Sequence, residues 1–365
     1  MPRGESLKLQ QFHCPSCGQN ITQLTPFKAS IECPYCHQVS LNPLVIDKTT
    51  WVPERVIPFR LSKDDFGEAI IERLVREPNL PLDLFDQITF GKVLKVYLPM
   101  YEYTGTFEGK WHCDEAYTVE HKVRRNGNTV TERETRYRPV SGGAYGNYSF
   151  LALAYEGKDI PPEFLRYAMV LDSAENNSYP FDPELMGLNG AEQVMTLEMN
   201  RDAHQVWAQK GEDYVTRLAE RECARQAPSN RRNFRCSSRI SSHDKGIYTM
   251  VPFWFVNFFY EGKAWNFMAE GSGTWSHLSA PTSTLMRILR WGLVVLCLAL
   301  GCVGAYLAPP DATSQYPAWP RIACFGGGVL AALCWYLGYN FRNQRRRIAG
   351  ACAAFPDSHF ARQHR

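Results

Sequence analysis

Four cysteines near the start of the chain have the spacing of metal ligands. Cys14 and Cys17 form a first pair and Cys33 and Cys36 a second, which gives C-x2-C-x15-C-x2-C. Two intervening residues allow both thiolates of a pair to approach one tetrahedral ion, and this spacing is typical of four-cysteine zinc modules. Because four thiolates leave no open position for water, the sequence predicts one structural zinc ion.

The second cysteine pair allows three other interpretations. Cys33-Pro-Tyr-Cys36 is also the sequence of a glutaredoxin dithiol, and with His37 it matches a c-type haem attachment motif; a disulfide is the third alternative. A glutaredoxin needs a long helix after the pair, whereas 39–46 is strand-like. Haem attachment occurs outside the cytosol, and Met1–Glu5 begins no signal peptide. We therefore favour zinc, with His37 beside the ligands or at the surface.

The residues between the cysteine pairs predict a short hairpin. Asn20–Leu24 and Ala29–Glu32 are its expected strands, and Thr25–Lys28 is its expected turn. Together with the ligands this is a zinc-ribbon layout, and we place the ribbon domain at residues 1–50.

Net charge and cysteine content indicate which binding partners and which cellular compartment to expect. The 365 residues include 40 basic and 37 acidic side chains, so a net charge of +3 creates no global field for nucleic acid. The other eight of the twelve cysteines are scattered or lie in apolar runs. Without an export signal the N-terminal part is expected in a reducing cytosol, where paired cysteines bind metal more often than they form disulfides.

Two apolar runs near the C-terminus predict membrane-spanning helices. Residues 291–308 and 322–341 carry no charge, and each run approaches the 20 or so residues that a span needs. The alternative, a buried hairpin of a soluble protein, is disfavoured by the arginines that flank both runs. We predict a two-helix transmembrane hairpin over residues 283–347 and a tail over 348–365.

The distribution of arginines predicts the orientation of this hairpin. One arginine, Arg321, lies in the proline-rich connection, and six lie on the outer ends of the runs: Arg287, Arg290, Arg342, Arg345, Arg346 and Arg347. Positive residues stay on the cytosolic side, so both termini are expected in the cytosol. Small residues would also allow close helix packing, within one hairpin or between copies, at Ala323, Gly327 and Ala331 and at Gly301 and Ala305.

Residues 51–282 predict a cytosolic α+β domain with antiparallel β modules. Ser62 is the expected N-cap of a helix that ends before Pro78. Val93–Trp111 and Ile247–Ala269 are rich in strand-forming residues, and Asn126-Gly127 predicts a type I′ turn between 118–125 and 128–137.

The remainder of this domain predicts helix and loop. Ala191–Ala227 has helical periodicity with a weakness at Gly211, and the arginines of 231–239 are interpreted as a solvated loop. An internal echo relates Glu108-Gly109-Lys110 to Glu261-Gly262-Lys263. We predict a turn between two strands at each, and hence a duplicated β module.

The order of these features resembles a bacterial family of membrane-anchored TFIIB-type zinc-ribbon proteins, which are often mislabelled as primosomal or helicase-like. The resemblance lies in CPSCG, CPYCH, VIPFRLSKDD, KVLKVYLPMYEY, SYPFDPELMGL and MVPFWFVNFFYEGKAWNFMAEGSGTWSHLSAP. At Ala269–Thr274 the chain departs from the N-G-Q-T-G that is usual in the family. The resemblance implies zinc binding, the bacterial inner membrane, and work beside SPFH-type or phage-shock-type envelope proteins.

The sequence predicts no enzyme. It has no P-loop, G-x-S-x-G, H-E-x-x-H or dinucleotide fingerprint. We expect a non-catalytic scaffold or adaptor that is anchored in the lipid bilayer and binds a protein partner or a second copy of itself. The alternative is a membrane-tethered nucleic-acid-binding protein that uses the ribbon and the 231–239 arginines, although the alternating charges of 118–137 favour a solvated ribbon there.

Aromatic residues on both faces of the predicted strands are candidate interface anchors. Consecutive aromatics at 253–255 and 258–260 must occupy opposite faces, because side chains alternate along a strand. Either the domain covers both faces, or one face meets a partner. The candidate interface residues are Tyr101, Tyr103, Trp254, Phe258, Phe259 and Tyr260.

Overall fold

The computed structural model describes residues 6–28, 30–36, 38–41, 43–125, 128–157, 170–172, 178–188, 193–273, 275–307 and 319–364. The chain forms two compact units. The first unit contains Met1–Pro58 and Val96–Pro252, and the second contains Phe59–Lys95 and Phe253–Arg365. Both units combine helices with strands, so the predicted mixed α+β body with antiparallel strands is confirmed.

The strands in the described part of the chain are β1 (Ser6–His13), β2 (Asn20–Gln23), β3 (Ser30–Glu32), β4 (Val39–Leu41), β5 (Val45–Trp51), β6 (Arg55–Val56), β7 (Thr89–Phe90), β8 (Leu94–Arg125), β9 (Asn128–Leu153), β10 (Val170–Asp172), β11 (Tyr179–Pro180), β12 (Val194–Thr196), β13 (Arg231–His243), β14 (Ile247–Tyr260), β15 (Lys263–Glu270) and β16 (Ser276–Leu278). The helices are α1 (Lys63–Arg76), α2 (Leu84–Gln87), α3 (Ala203–Val206), α4 (Glu212–Gln226), α5 (Thr284–Leu307), α6 (Trp319–Ala354) and α7 (His359–His364).

The first unit is built on one sheet, in the order β11-β6-β14-β8-β12-β2-β1-β5, to which β14 contributes its first half. The pairings β11–β6, β14–β8, β12–β2, β2–β1 and β1–β5 are antiparallel, and the short β6–β14 pairing is parallel. Large aromatic side chains fill its core, among them Tyr97, Tyr103, Phe150 and Tyr248, all nearly inaccessible to water.

A long hairpin of β8 and β9 dominates the first unit. The two strands pair from Met100 opposite Leu153 to Arg125 opposite Asn128, and β13 pairs with the other edge of β8 as far as Glu115. The predicted strands at 118–125 and 128–137 are therefore confirmed. Their turn at Asn126-Gly127 lies outside the described residues.

Two sequence predictions in the first unit are wrong. The helix expected over 191–227 begins at Ala203, because Asp202 caps it with a full capping box. Upstream, Val194–Thr196 form β12 against β2. The weakness expected near Gly211 is a π-helical segment over Trp207–Gly211. The second error is the loop expected over 231–239, which is strand β13, because its backbone completes the free edge of β8.

The internal echo does not produce two equal turns. Glu261 and Gly262 form a two-residue turn between β14 and β15, and both have positive φ. Glu108–Lys110, in contrast, lies inside β8 and is paired on both sides, with β9 and β13. The turn predicted at Glu108–Lys110 is therefore wrong. A strand continues through a glycine when its backbone is paired with a neighbouring strand on each edge.

The second unit packs α1 on a sheet in the order β7-β14-β15-β16. Ser62 caps α1 as predicted, since its hydroxyl oxygen accepts the Asp65 amide at 3.1 Å. The buried face of α1 brings Phe66 against Trp254 and Phe267, with ring centroids 5.8 and 5.3 Å apart. These contacts form the core of the unit.

Helices α5 and α6 pair with each other at two glycines. A Cβ added to Gly301 would lie 2.8 Å from the Cα of Gly328, so the backbones touch there. The two helices are long and apolar enough to cross a membrane, and 6% and 11% of their apolar windows are buried within the chain. They cover the predicted spans up to Leu307, and the connection at 309–318 lies outside the described residues.

The end of α6 belongs to the core of the second unit. Arg347 is 6% exposed and donates from Nε to the Val75 carbonyl at 3.0 Å and from Nη1 to the Pro78 carbonyl at 3.3 Å. Ala351 and, on α7, Phe360 are also buried. Both ends of the α5–α6 pair are therefore tied to the same unit.

Candidate metal centre

The four N-terminal cysteines come together in the first unit. Their Sγ atoms all lie within 4.8 Å of one another, and Cys14–Cys36 and Cys17–Cys33 are 3.7 and 3.6 Å apart. A tetrahedron of thiolates around zinc, with bonds of about 2.3 Å, has edges of about 3.8 Å. A disulfide would need about 2.05 Å. The arrangement therefore fits a metal ion better than a disulfide.

Each cysteine pair sits in a tight knuckle. In the first, the Gly18 amide donates to the Cys14 carbonyl at 2.9 Å, and the Cys14 amide donates to the Gln19 carbonyl at 2.9 Å. Gly18 has φ +72°, a conformation that a Cβ would strain. In the second knuckle the Cys33 amide donates to the Gln38 carbonyl at 3.0 Å. The chain thus reverses at each pair and brings both thiols to the same cluster.

The knuckles explain why the predicted hairpin between the cysteine pairs is wrong. Strand β2 pairs with β1, which precedes the first knuckle, and β3 pairs with β4, which follows the second. Strands β2 and β3 therefore lie in separate sheets. Because each knuckle folds the chain back on itself, the strands that pair are the ones that flank a knuckle.

Hydrogen bonds to β12 connect the segment that follows the first cysteine pair to the rest of the first unit. Leu24 donates its amide to the Val194 carbonyl at 2.9 Å, and Val194 donates to the Thr25 hydroxyl at 3.2 Å. Lys48 on β5 forms an ion pair of 2.8 Å with Glu198. Sequence reasoning missed this attachment, because Val194–Thr196 was assigned to a helix.

The thiols show how charge is distributed in the site. Burial raises the pKa of Cys33 and also that of Cys17, and at both thiols it outweighs backbone hydrogen bonds that act in the opposite direction. Burial also acts on Cys36, but hydrogen bonds from the Gln38 backbone and from the other thiols outweigh it and lower the pKa to about 7. Four thiolates at this spacing repel one another, so a bound cation would supply the missing countercharge.

The residues present fit a metal ion with a closed shell. Cys14 and Cys33 are buried and Cys17 and Cys36 face solvent, so the cluster has an inner and an outer side. Strands β4 and β5 follow the second pair, which differs from the long helix of a glutaredoxin. His37 lies outside the described residues. The chemistry open to this donor set is structural, since four thiolates complete a tetrahedron.

The six candidate interface residues are largely buried in the chain. Five are at most 8% exposed, and Phe259 is half-buried. Tyr103 donates its hydroxyl to the Ala203 carbonyl, and Trp254 donates its indole N–H to the Leu61 carbonyl. The chain itself therefore covers most of the surface of the aromatic residues that the sequence offered as interface anchors, namely Tyr101, Tyr103, Trp254, Phe258, Phe259 and Tyr260.

No family model, curated protein or solved structure matches the chain.

Proposed function

We propose that this protein is a membrane-anchored zinc-ribbon scaffold that binds a protein partner on the cytosolic side. Two features on one chain carry the proposal: a closed thiolate cluster and a pair of apolar helices that the chain leaves uncovered. A closed site favours a structural role, and exposed apolar helices favour a bilayer as their environment.

The metal in this proposal is zinc. Tetrahedral thiolate sites hold zinc or iron, and zinc is the usual ion of four-cysteine ribbons. The knuckle spacing and the Sγ separations of 3.6 and 3.7 Å support this choice. Elemental analysis separates the two metals, and an iron–thiolate site would also be coloured.

The proposed anchor is the α5–α6 pair, and its proposed location is the bacterial inner membrane. Six arginines at the outer ends against one in the connection favour an orientation with both termini in the cytosol. Support comes from the second unit, where α5 starts just after β16 and the end of α6 packs on α1 through Arg347. Two ends that are tied to one unit lie on the same side of a bilayer.

The proposed docking surface is the outer part of the long hairpin, Tyr117–Arg125 and Asn128–Arg136, which we call the charged arm. Over this length each strand has the other as its sole strand partner among the described residues. The arm carries exposed ion pairs, Glu120 with Arg133 and Glu134 with Arg136. Such pairs contribute little to stability, so their use as a recognition surface is the better explanation.

Capture of partners from detergent-solubilised membranes tests this function. Tyr117 lies opposite Arg136. A variant in which Asn-Gly replaces residues 118–135 should therefore have a shorter arm, and the remaining strands should keep their register. The full chain should retain a specific protein through nuclease treatment, and the shortened chain should lose it with unchanged metal content. Equal retention by both chains would contradict the proposed surface. An SPFH-type partner is the expectation that follows from the family resemblance.

A membrane-tethered nucleic-acid-binding protein is the second candidate, and one surface favours it. Lys110, Arg235, Arg239 and Tyr145 lie on one exposed face of β8, β9 and β13, and Tyr145 is 71% exposed. Glu108 lies directly opposite Tyr145 on this face. Exposed cations and an exposed ring on one face suit single strands. Loss of the captured material on nuclease treatment would favour this candidate over the scaffold.

A further inference from the structure

Two free cysteines of the first unit, Cys223 on α4 and Cys236 on β13, meet on one face of the sheet. Cys236 lies opposite Trp111 of β8, and Gly109 lies two residues away on the same face of that strand. The sulfur of Cys223 covers Gly109 so closely that a Cβ there would lie 2.4 Å from Sγ. Both cysteines belong to one cluster of packed side chains, in which Cys223 has the Cys236 thiol as a hydrogen-bonding neighbour.

A third cysteine of the same cluster, Cys113, lies farther along β8. Four residues separate it from Gly109, the position that the Cys223 sulfur covers. At the usual rise of a strand this is a distance of about 13 Å. The contact between thiols therefore joins Cys223 to Cys236, and Cys113 provides a matched control in the same core.

The two thiols in contact differ in their access to solvent. Cys223 is fully buried, whereas Cys236 is half-buried and lines a surface cleft of about 810 Å³. Burial, the hydrogen bond to Cys236 and nearby carboxylates raise the pKa of Cys223 to about 12, so this thiol keeps its proton at neutral pH. A small oxidant that enters the cleft therefore reaches Cys236 first, and Cys223 stands behind it as a second thiol.

We propose that Cys223 and Cys236 form a reversible disulfide bond when the protein meets hydrogen peroxide. Peroxide transfers one oxygen atom to the sulfur of Cys236, which becomes a sulfenic acid, and the peroxide is reduced to water. The sulfur of Cys223 then attacks the oxidised sulfur. The S–S bond forms, the S–O bond breaks, and the hydroxide leaves with the Cys223 proton as a second water. The bond would link α4 to β13, and a dithiol reductant would open it again.

Peptide mapping of the full chain tests this pair, because trypsin places each cysteine in a short peptide of its own, 222–225 and 236–239. The chain in detergent is treated with hydrogen peroxide, its remaining thiols are blocked with N-ethylmaleimide in denaturant, and the digest is analysed by mass spectrometry. The two peptides should appear as one disulfide-linked species, and dithiothreitol should return both as free thiols. Cys223→Ala and Cys236→Ala should each lose the linked species, and Cys113→Ala should retain it.

A second measurement tests the order of the two steps. In Cys223→Ala the sulfenic acid has no thiol to resolve it, so dimedone should label Cys236 after peroxide treatment. Absence of this label from the folded variant would overturn Cys236 as the first thiol to react.

The wild-type chain decides whether the disulfide exists at all. Recovery of peptide 236–239 only with a blocked thiol or a sulfinic acid would overturn the proposed bond. Linkage of this peptide to the one that contains Cys113 would overturn it as well. Because these readouts come from the wild-type chain, a variant that fails to fold changes neither of them.

Discussion

The indole ring of Trp111 lies over Gly142, its direct partner on the neighbouring strand. The same relationship recurs along the hairpin, where Phe107 covers Gly146. An aromatic ring that lies across its strand partner needs a partner without a Cβ. The Phe107–Gly146 pair fixes the register of β8 against β9, because a slip of one residue would place the side chain of Tyr145 or of Asn147 under the ring.

Gly142→Ala should therefore destabilise the first unit. A Cβ at this position would lie 2.5 Å from Cζ2 of Trp111, so the ring must move at a cost of about 1–3 kcal/mol. Gly143→Ala is the matched control, since its nearest neighbour would be 3.4 Å away. Thermal unfolding of both variants measures the difference, and equal midpoints would contradict the covering role of Trp111.

Cys33→Ser should remove the metal and unfold the strands around the knuckles. A serine hydroxyl is a poor ligand beside three thiolates, and the buried side of the site would be left open. The wild-type chain should contain one zinc ion and should lose it as the pH falls, because protons compete with the ion for the thiolates. Metal analysis measures both effects. Cys302→Ser, on the exposed face of α5, should retain full metal content; a Cys33→Ser chain that also retained it would refute the site.

Reporters fused to the chain should reveal its orientation. Fusions at residue 1 and at residue 365 should both score as cytosolic, and an insertion near residue 314 should score as external, because arginines stay on the cytosolic side. Protease protection in intact spheroplasts gives an independent measurement. An external N-terminus would contradict the proposed topology and the reducing environment assumed for the thiols.

Gly328→Leu should separate α5 from α6. A Cβ at Gly328 would lie 2.6 Å from the Cα of Gly301 and 2.9 Å from the Cys297 carbonyl oxygen, so no side chain fits without moving backbone. Gly327→Leu is the control one residue away, where a Cβ meets nothing within 4 Å among the described atoms. Thermal stability in detergent should fall for the first variant alone. If Gly327→Leu instead dissolved an oligomer, that face would be the contact between copies.

Trp254→Ser should unfold the second unit instead of releasing a partner. The side chain is 4% exposed, donates to the Leu61 carbonyl at 2.9 Å and stacks near Phe66, so its loss should cost about 3–5 kcal/mol. Tyr145→Ser is the control at an exposed aromatic and should leave stability within about 0.5 kcal/mol. Chemical denaturation measures both. Normal stability of Trp254→Ser with loss of a bound protein would restore the interface hypothesis.

The sequence alone was sufficient to predict those features whose geometry is determined by a short segment of the chain. The metal ligands followed from two pairs of cysteines, since two intervening residues force both thiols to one side of a knuckle. The Ser62 cap and the strands 118–125 and 128–137 followed for the same reason, because their signals act over a few neighbouring residues. Two long charge-free runs likewise predicted α5 and α6 from composition.

Tertiary structure decided what depends on partners distant in the chain. Val194–Thr196 became a strand because β2 offered an edge, and Glu108–Lys110 stayed extended because β9 and β13 hold both sides. Trp254 is a core residue because α1, nearly 190 positions upstream, covers the face that alternation alone left open. Local preferences of about 1 kcal/mol choose between strand, turn and helix, and pairing over many residues outweighs them.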